Sequence, residues 1–209
     1  MTDPAGVVRA GYDAIGHRYH AVSHADPVRI AYVTALRDRL PAGSRVVELG
    51  CGPGDPATRL LSERHRVVGV DLSAGQLAIA REKAPAAALA QADMTRLSVR
   101  PGSVDAVASF YAFGHLPAAA HAPLVAAIGT WLRPGGVLVT NFPLSAGDGG
   151  TDEWLGVPMF FGGIGREAML AALDAAGLAV ESLDRHGPEG DRFDWVVATR
   201  RAGAGAAAP

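Results

Sequence analysis

The sequence predicts a doubly wound α/β fold: a mostly parallel sheet with helices on both faces. Three observations predict it. Short apolar, β-branched runs alternate with helical patterns from Arg45 to Asn141, the signature of βαβ units. The first run, Val46-Val47-Glu48-Leu49, breaks into a glycine-rich turn, Gly50-Cys51-Gly52-Pro53-Gly54-Asp55. Acidic residues, Asp71 and Asp93, close or follow the next two runs. In such sheets ligands bind beyond the carboxyl ends of the strands. The glycine turn, Asp71, Asp93 and the segment after Phe110 all fall at those ends.

The elements follow in order. About Val7 to Leu40 reads as helical, with Tyr12, Ile15, Tyr19 and Val22 on one face. Asp26-Pro27 marks a break and restart, with Pro in the first helical turn. Pro41-Ala42-Gly43 punctuates the chain before the first strand, Arg45 to Leu49. A short helix covers Pro56 to Glu63, and a second strand runs from Arg66 to Val70. Ser73-Ala74-Gly75-Gln76 has the spacing of a capping box and opens a helix to about Ala84. A weaker strand spans Ala87 to Ala90, and a strong one Val104 to Phe110. A helix from His121 to Leu132 stops at Arg133-Pro134-Gly135-Gly136, and Val137 to Asn141 is the fifth strand. Residues 145–165 form a long Gly-rich excursion. Its Trp154, Met159, Phe160 and Phe161 argue against disorder, so it reads as a lid loop. A last helix spans Arg166 to Ala176. Ala179 to Leu183 and Phe193 to Ala198 are final strands joined by a Gly/Pro turn. The Ala/Gly tail, 202–209, is expected to be disordered. Residues 1–201 read as one domain, with 1–43 as an N-terminal helical cap.

The glycine turn carries chemistry. Without a Cβ at three positions, backbone can approach a cofactor closely. A dinucleotide loop needs G-x-G-x-x-G against a pyrophosphate. Here the glycines run G-x-G-x-G, and Asp55 occupies the third-glycine position. A carboxylate there repels a pyrophosphate, and Glu48 adds a second negative charge. The turn suits an adenosine cofactor that lacks phosphate and is partly cationic. S-adenosylmethionine (SAM), a sulfonium, meets that description.

Bulk properties narrow the class further. The chain has 209 residues and a net charge of -2, so no basic surplus advertises nucleic acid. Lys83 is its one lysine, and with the abundant Ala and Gly this suggests a GC-rich bacterial source. Cys51 is the one cysteine, which excludes an internal disulfide. No secretory leader and no membrane-spanning apolar run are apparent. A cytoplasmic protein without a membrane partner is expected.

The chain resembles the class I SAM-dependent methyltransferases of small bacterial type. The resemblance rests on Glu48-Leu49-Gly50-Cys51-Gly52-Pro53-Gly54, Val67-Val68-Gly69-Val70-Asp71-Leu72-Ser73 and Gln91-Ala92-Asp93-Met94. The Ser109-to-Pro117 segment and the approach from Trp131 to Asn141 complete it. It runs from Tyr12 to Ala198 and implies a Rossmann-like, seven-stranded sheet with one antiparallel strand near the C-terminus, matching Phe193 to Ala198. It also implies roles. Gly50, Cys51 and Gly52 would pass the methionine and ribose parts of SAM, Asp71 would accept the ribose hydroxyls, and Leu72 would pack on adenine. Gln76 would be a further polar contact. Asp93 would take the adenine amine, and the Met94 amide a ring nitrogen. The Phe110 carbonyl would receive the ammonium, and Tyr19 would reach over the methionine carboxylate. Glu48 would hold the ammonium, through water, or cap backbone amides.

His115, just after the fourth strand, is the candidate catalytic residue, as a base for a hydroxyl acceptor, although it could merely hold its loop. Positioning alone can also supply much of the acceleration. His17, His20 and His24 share a face if the helix continues. They read as solvated or as substrate contacts, and no carboxylate pattern supports a metal. Cys51 is no nucleophile, since no histidine adjoins it in the motif. An apolar, acidic cover suits a small-molecule acceptor and methyl transfer to oxygen of a metabolite or natural product. The alternative is a SAM-binding protein of the same fold catalysing a non-methylating step such as cyclisation.

Overall fold

Two aspartates, each followed by proline, start the N-terminal helices. In the computed structural model, which describes residues 3–187 and 193–202, the Asp3 carboxylate accepts the Gly6 amide at 3.1 Å and opens α1, Pro4–Ile15. Gly16, at φ +55°, ends α1 and begins α2, His17–Ser23. The Asp26 carboxylate accepts the Val28 and Arg29 amides at 2.9 and 3.2 Å and opens α3, Pro27–Arg39. The break at Asp26-Pro27 was expected and the one at Gly16 was not. The apolar periodicity of Tyr12, Ile15 and Tyr19 runs through the glycine and hides it.

The sheet assembles from β1 (Arg45–Leu49), β2 (Arg66–Asp71), β3 (Ala88–Gln91), β4 (Val104–Ser109) and β5 (Leu132–Pro143). Their crossovers are α4 (Ala57–Ser62), α5 (Ala74–Lys83) and α6 (Ala118–Trp131). The chain then forms β6 (Ala146–Trp154), β7 (Val157–Ile164), α7 (Gly165–Ala175), β8 (Leu178–His186) and β9 (Phe193–Arg200). Seven strands form one sheet in the order β3-β2-β1-β4-β5-β9-β8. The pairs among β1 to β5 are parallel, and β9 runs antiparallel to both β5 and β8. This is the Rossmann-like sheet with one reversed strand. The order turns back between β1 and β4, so the glycine turn after β1 sits at the topological switch point.

Alternation along each strand divides the core into two layers. Val46, Ala106, Val137 and Val139 pack with Val33 and Leu36 of α3 and Leu61 of α4. Their neighbours Val47, Val107 and Leu138 pack with Leu124, Val125 and Ile128 of α6 and Leu173 of α7. Each buried Leu or Ile contributes about 1.5–3 kcal/mol relative to exposure.

Residues 145–165 are not a loop. β6 and β7 form a separate antiparallel hairpin, with Thr151 opposite Phe160 and Asp152 opposite Met159. Its two-residue turn is Leu155-Gly156, both at positive φ, as tight hairpins require. Glycines weaken β propensity, which hid the strands. A third apolar cluster, Val8, Ile15, Tyr19, Met159 and Phe160, packs α1 and α2 against this hairpin. Arg18 Nη1 donates to the Leu155 carbonyl at 3.1 Å. The expected Gly/Pro turn, across 188–192, and the tail from 203 lie outside the described residues.

Candidate functional site

Gly50 and Gly52 follow β1 at φ +68° and +53°, a region costly to residues with a Cβ. A Cβ on Gly50 would collide with Ala112, and one on Gly52 would lie 3.2 Å from the Tyr19 ring. The turn is therefore closed on one side by the segment after β4 and on the other by α2. Asp71, at the end of β2, braces it: its Oδ2 accepts the Gly52 amide at 2.8 Å and its Oδ1 the Ser73 amide at 2.9 Å. Burial pushes the Asp71 carboxyl above the usual carboxylate range, against the pull of these amides. Two oxygens accept about four hydrogen bonds, so capacity remains for a ligand.

A cavity of about 260 Å³ opens at this edge. It is lined by Tyr19, Gly50, Gly52, Asp71, Leu72, Asp93, Met94, Phe110 and His115, all of them sequence candidates. Asp93 divides its work. Its Oδ1 accepts from the Thr95 amide and hydroxyl at 2.9 and 2.7 Å, while its Oδ2 lies 3.6 Å from Arg96. Asp3 also lines the cavity, so acidic groups outnumber basic ones there. This charge suits a cationic ligand. The Phe110 ring packs into the core beside Trp195.

Three candidates fall elsewhere. Gln76 is fully buried, and its Nε2 donates to the carbonyls of Tyr12 and Gly16, both at 3.1 Å. It pins the α1–α2 break to α5 and does not line the cavity. Only half of the expected capping box forms: Ser73 Oγ accepts the Gln76 amide at 3.0 Å, while the Gln76 side chain turns to α1. Cys51 is buried behind the turn, where its Sγ lies against Gly69, and burial pushes its thiol well up. Glu48 is 2 % exposed and accepts Thr58 Oγ1 at 2.6 Å. Burial raises its carboxyl to about 8. It stands behind the turn rather than in the cavity.

A second cavity, about 750 Å³, adjoins the first. Tyr12, Tyr19, Tyr111 and His115 line both. Trp154 and Phe161 of the hairpin and Phe193 of β9 supply apolar walls. Arg29 is its one buried cation among the described residues, with Nε unpartnered and Nη2 3.4 Å from the Tyr19 hydroxyl. Tyr111 adopts φ +63°, strain held by surrounding bonds. Its amide donates to Asn141 Oδ1 and its hydroxyl to Asp26 Oδ2, both at 2.6 Å, and Arg29 lies 4.8 Å over its ring. Arg29, Tyr111 and Tyr12 went unrecognised in the sequence as a group. One sequence cannot distinguish Arg29, in the first turn of α3, from a surface arginine.

His115 makes two bonds: Nδ1 to the Phe160 carbonyl and Nε2 to the Tyr12 hydroxyl, both at 2.8 Å. Burial lowers its pKa below the usual histidine value. The histidines of α2 do not share one ligand. His17 is exposed, His20 Nε2 meets Asp55 Oδ2 at 3.0 Å, and His24 Nδ1 meets the His20 carbonyl at 2.9 Å. No cluster able to hold a metal occurs among the described residues.

Residues 46–136, which hold the turn and the first cavity's strand ends, match the family model described as "Methyltransferase domain". In that segment the chain is similar to the class I SAM-dependent methyltransferases. A trans-aconitate 2-methyltransferase of Paracidovorax citrulli is 41% identical over 119 residues, covering 55% of this chain and 45% of that protein. The chain thus spans less than half the length of the curated relatives it matches. Among solved structures, the 1,6-didemethyltoxoflavin-N1-methyltransferase of Burkholderia thailandensis, with S-adenosylhomocysteine bound, superposes with TM-score 0.74. Its identity is 20%, with coverage of 97% of this chain and 92% of that one. The [4+2]-cyclase SpnF gives TM-score 0.63 at 21% identity, covering 84% and 81%. These two likenesses show the methyltransferase fold alone. Methyltransferases of this kind use SAM, and the acidic lining of the first cavity, with Asp3, Asp71 and Asp93, fits that cofactor. No helix among the described residues is long and apolar enough to cross a membrane.

Proposed function

We propose that this chain transfers a methyl group from SAM, held in the first cavity, to an oxygen nucleophile of a small molecule held in the second. The observation that carries this reading is the shared wall: Tyr12, Tyr19, Tyr111 and His115 face both spaces. A methyl group need only cross that boundary. When bound, SAM supplies an electrophilic sulfonium methyl with a good leaving group.

The chain's own residues bind and orient. Asp71 accepts the ribose hydroxyls with the capacity left after Gly52 and Ser73. Leu72 and Met94 flank the adenine, Asp93 takes its amine, and the Met94 amide serves a ring nitrogen. The Phe110 carbonyl takes the ammonium. Tyr19 takes the methionine carboxylate with Arg29, whose unpartnered buried Nε needs an acceptor. Gly50 and Gly52 keep the turn thin. The hairpin and the N-terminal helices exclude water over the reacting atoms, where alignment within van der Waals reach lowers the barrier. His115 is the base that drives removal of the acceptor's proton. The aromatic lining favours a flat apolar acceptor, a bacterial metabolite or natural product, over nucleic acid. Residues 1–201 act as one unit in the cytoplasm.

Incubation with SAM and a panel of phenols, carboxylates and amines tests this. Product heavier by one methyl, with equimolar S-adenosylhomocysteine, supports transfer. A rearranged product of unchanged mass would instead support the cyclase alternative.

A further inference from the structure

The proton of a protic acceptor needs a destination, and the second cavity offers one that is not His115 itself. The Phe160 carbonyl cannot donate, so His115 Nδ1 carries the hydrogen in their 2.8 Å bond. In the neutral ring Nε2 is then the acceptor, and the Tyr12 hydroxyl, 2.8 Å away, donates to it. Both imidazole nitrogens are occupied. The Tyr12 oxygen makes no other hydrogen bond among the described residues and keeps its lone pairs. Its ring lines both cavities and is boxed by Tyr19, His115 and Trp154 at centroid distances of 5.1, 5.4 and 5.8 Å.

Resting on the methyl-transfer reading, we propose that Tyr12 is a catalytic residue: its phenol oxygen takes the proton of a neutral hydroxyl or amine acceptor, and His115 acts through it. As the acceptor atom bonds to the methyl carbon, the methyl–sulfur bond breaks and its electron pair goes to sulfur. The acceptor proton passes to the Tyr12 oxygen, and the Tyr12 proton passes to His115 Nε2. The imidazolium, still donating from Nδ1 to Phe160, later releases that proton to water. The hairpin, through Phe160, thereby sets the direction of the relay.

The arrangement selects against acceptors that are already anions. A carboxylate has no proton to give and meets lone pairs on the Tyr12 oxygen. Charged and titratable groups facing this point are Tyr19 from α2, Asp26 at the N-cap of α3, Arg29 within α3, Asp71 at the end of β2 and Tyr111 after β4. The hairpin residues lining the second cavity, Trp154, Phe161 and Gly162, bring no charge. Arg29 is the one cation among the described residues lining this cavity, and on the reading above the methionine carboxylate of the cofactor engages it.

The test uses the protein saturated with S-adenosylhomocysteine, with phenol and benzoate as probes and the ¹⁵N resonances of the His115 ring as readout. One hydrogen bond corresponds to about tenfold in affinity. Phenol is expected to move the Nε2 resonance and to bind about tenfold more tightly than benzoate. Tyr12→Phe is expected to keep S-adenosylhomocysteine affinity and lose that preference. Equal binding of benzoate, an Nε2 resonance indifferent to phenol, or a preference retained in Tyr12→Phe would each overturn the proposal. The first two readouts need only the wild-type protein. Failure of the wild type to bind S-adenosylhomocysteine would instead overturn the methyl-transfer reading on which the proposal stands.

Discussion

Glu48→Gln should flatten the pH dependence of folding stability. Glu48 lies 2 % exposed behind the glycine turn, with Thr58 Oγ1 as its hydrogen-bond partner at 2.6 Å. Desolvation raises its carboxyl from 4.5 to about 8, while Thr58 and Arg29 oppose the rise. The folded value exceeds the unfolded one, so unfolding releases a proton between those limits. Its contribution is fully present below pH 4.5, declines as pH rises, and is gone above about 8. A pKa unit corresponds to about 1.4 kcal/mol, so the decline is on the order of 4–5 kcal/mol at its ceiling. Glutamine keeps the shape and the oxygen acceptor without the charge. Urea unfolding from pH 5 to 9 should show the two proteins within about 1 kcal/mol at pH 5. Above pH 8 the variant should be the more stable by several kcal/mol. Parallel stability curves across that range would refute the reasoning, because groups shared by both proteins cancel in the comparison.

Other substitutions probe the remaining parts of the site. Gly50→Ala places a Cβ against Ala112 at φ +68° and should lower stability by about 1–3 kcal/mol while abolishing detectable SAM binding, read by thermal shift with and without SAM. Arg29→Gln should weaken SAM at least about tenfold by calorimetry, since a charge-assisted bond to a carboxylate is lost. Equal affinity would remove Arg29 from the cofactor site. Asp194, fully buried between Arg166 and Arg185, anchors β9 to α7. Asp194→Asn should destabilise by about 3–5 kcal/mol in denaturant melts, with SAM affinity unchanged once the protein is folded.

The sheet was legible because its strands are short, apolar and punctuated, and β1 matches the expected Arg45–Leu49 residue for residue. The cofactor edge was legible because a fold of this kind brings every strand's carboxyl end to one side, so Asp71, Asp93 and Phe110 could be placed without knowing their contacts. Gln76 misled because its spacing from Ser73 fits a cap, while its side chain answers to carbonyls of a helix 60 and 64 residues earlier. Cys51 misled for a related reason: membership of a turn does not say which way a side chain points. The hairpin was missed because β6 is almost wholly exposed and so carries no alternation, and its identity comes from pairing with β7. Tyr12 meets His115 across 103 residues and Tyr111 meets Asp26 across 85, and local pattern holds no trace of such meetings.

The claim at the centre is that the glycine turn and Asp71 form a SAM site. Calorimetric titration of SAM into the wild type and into Asp71→Ala, with folding of the variant checked by circular dichroism, tests it most directly. The account predicts saturable one-to-one binding to the wild type and a loss of at least about 100-fold in the variant, since two charge-assisted hydrogen bonds to ribose disappear. Equal SAM affinity in the two proteins, or a wild type that binds NAD in preference to SAM, would contradict it.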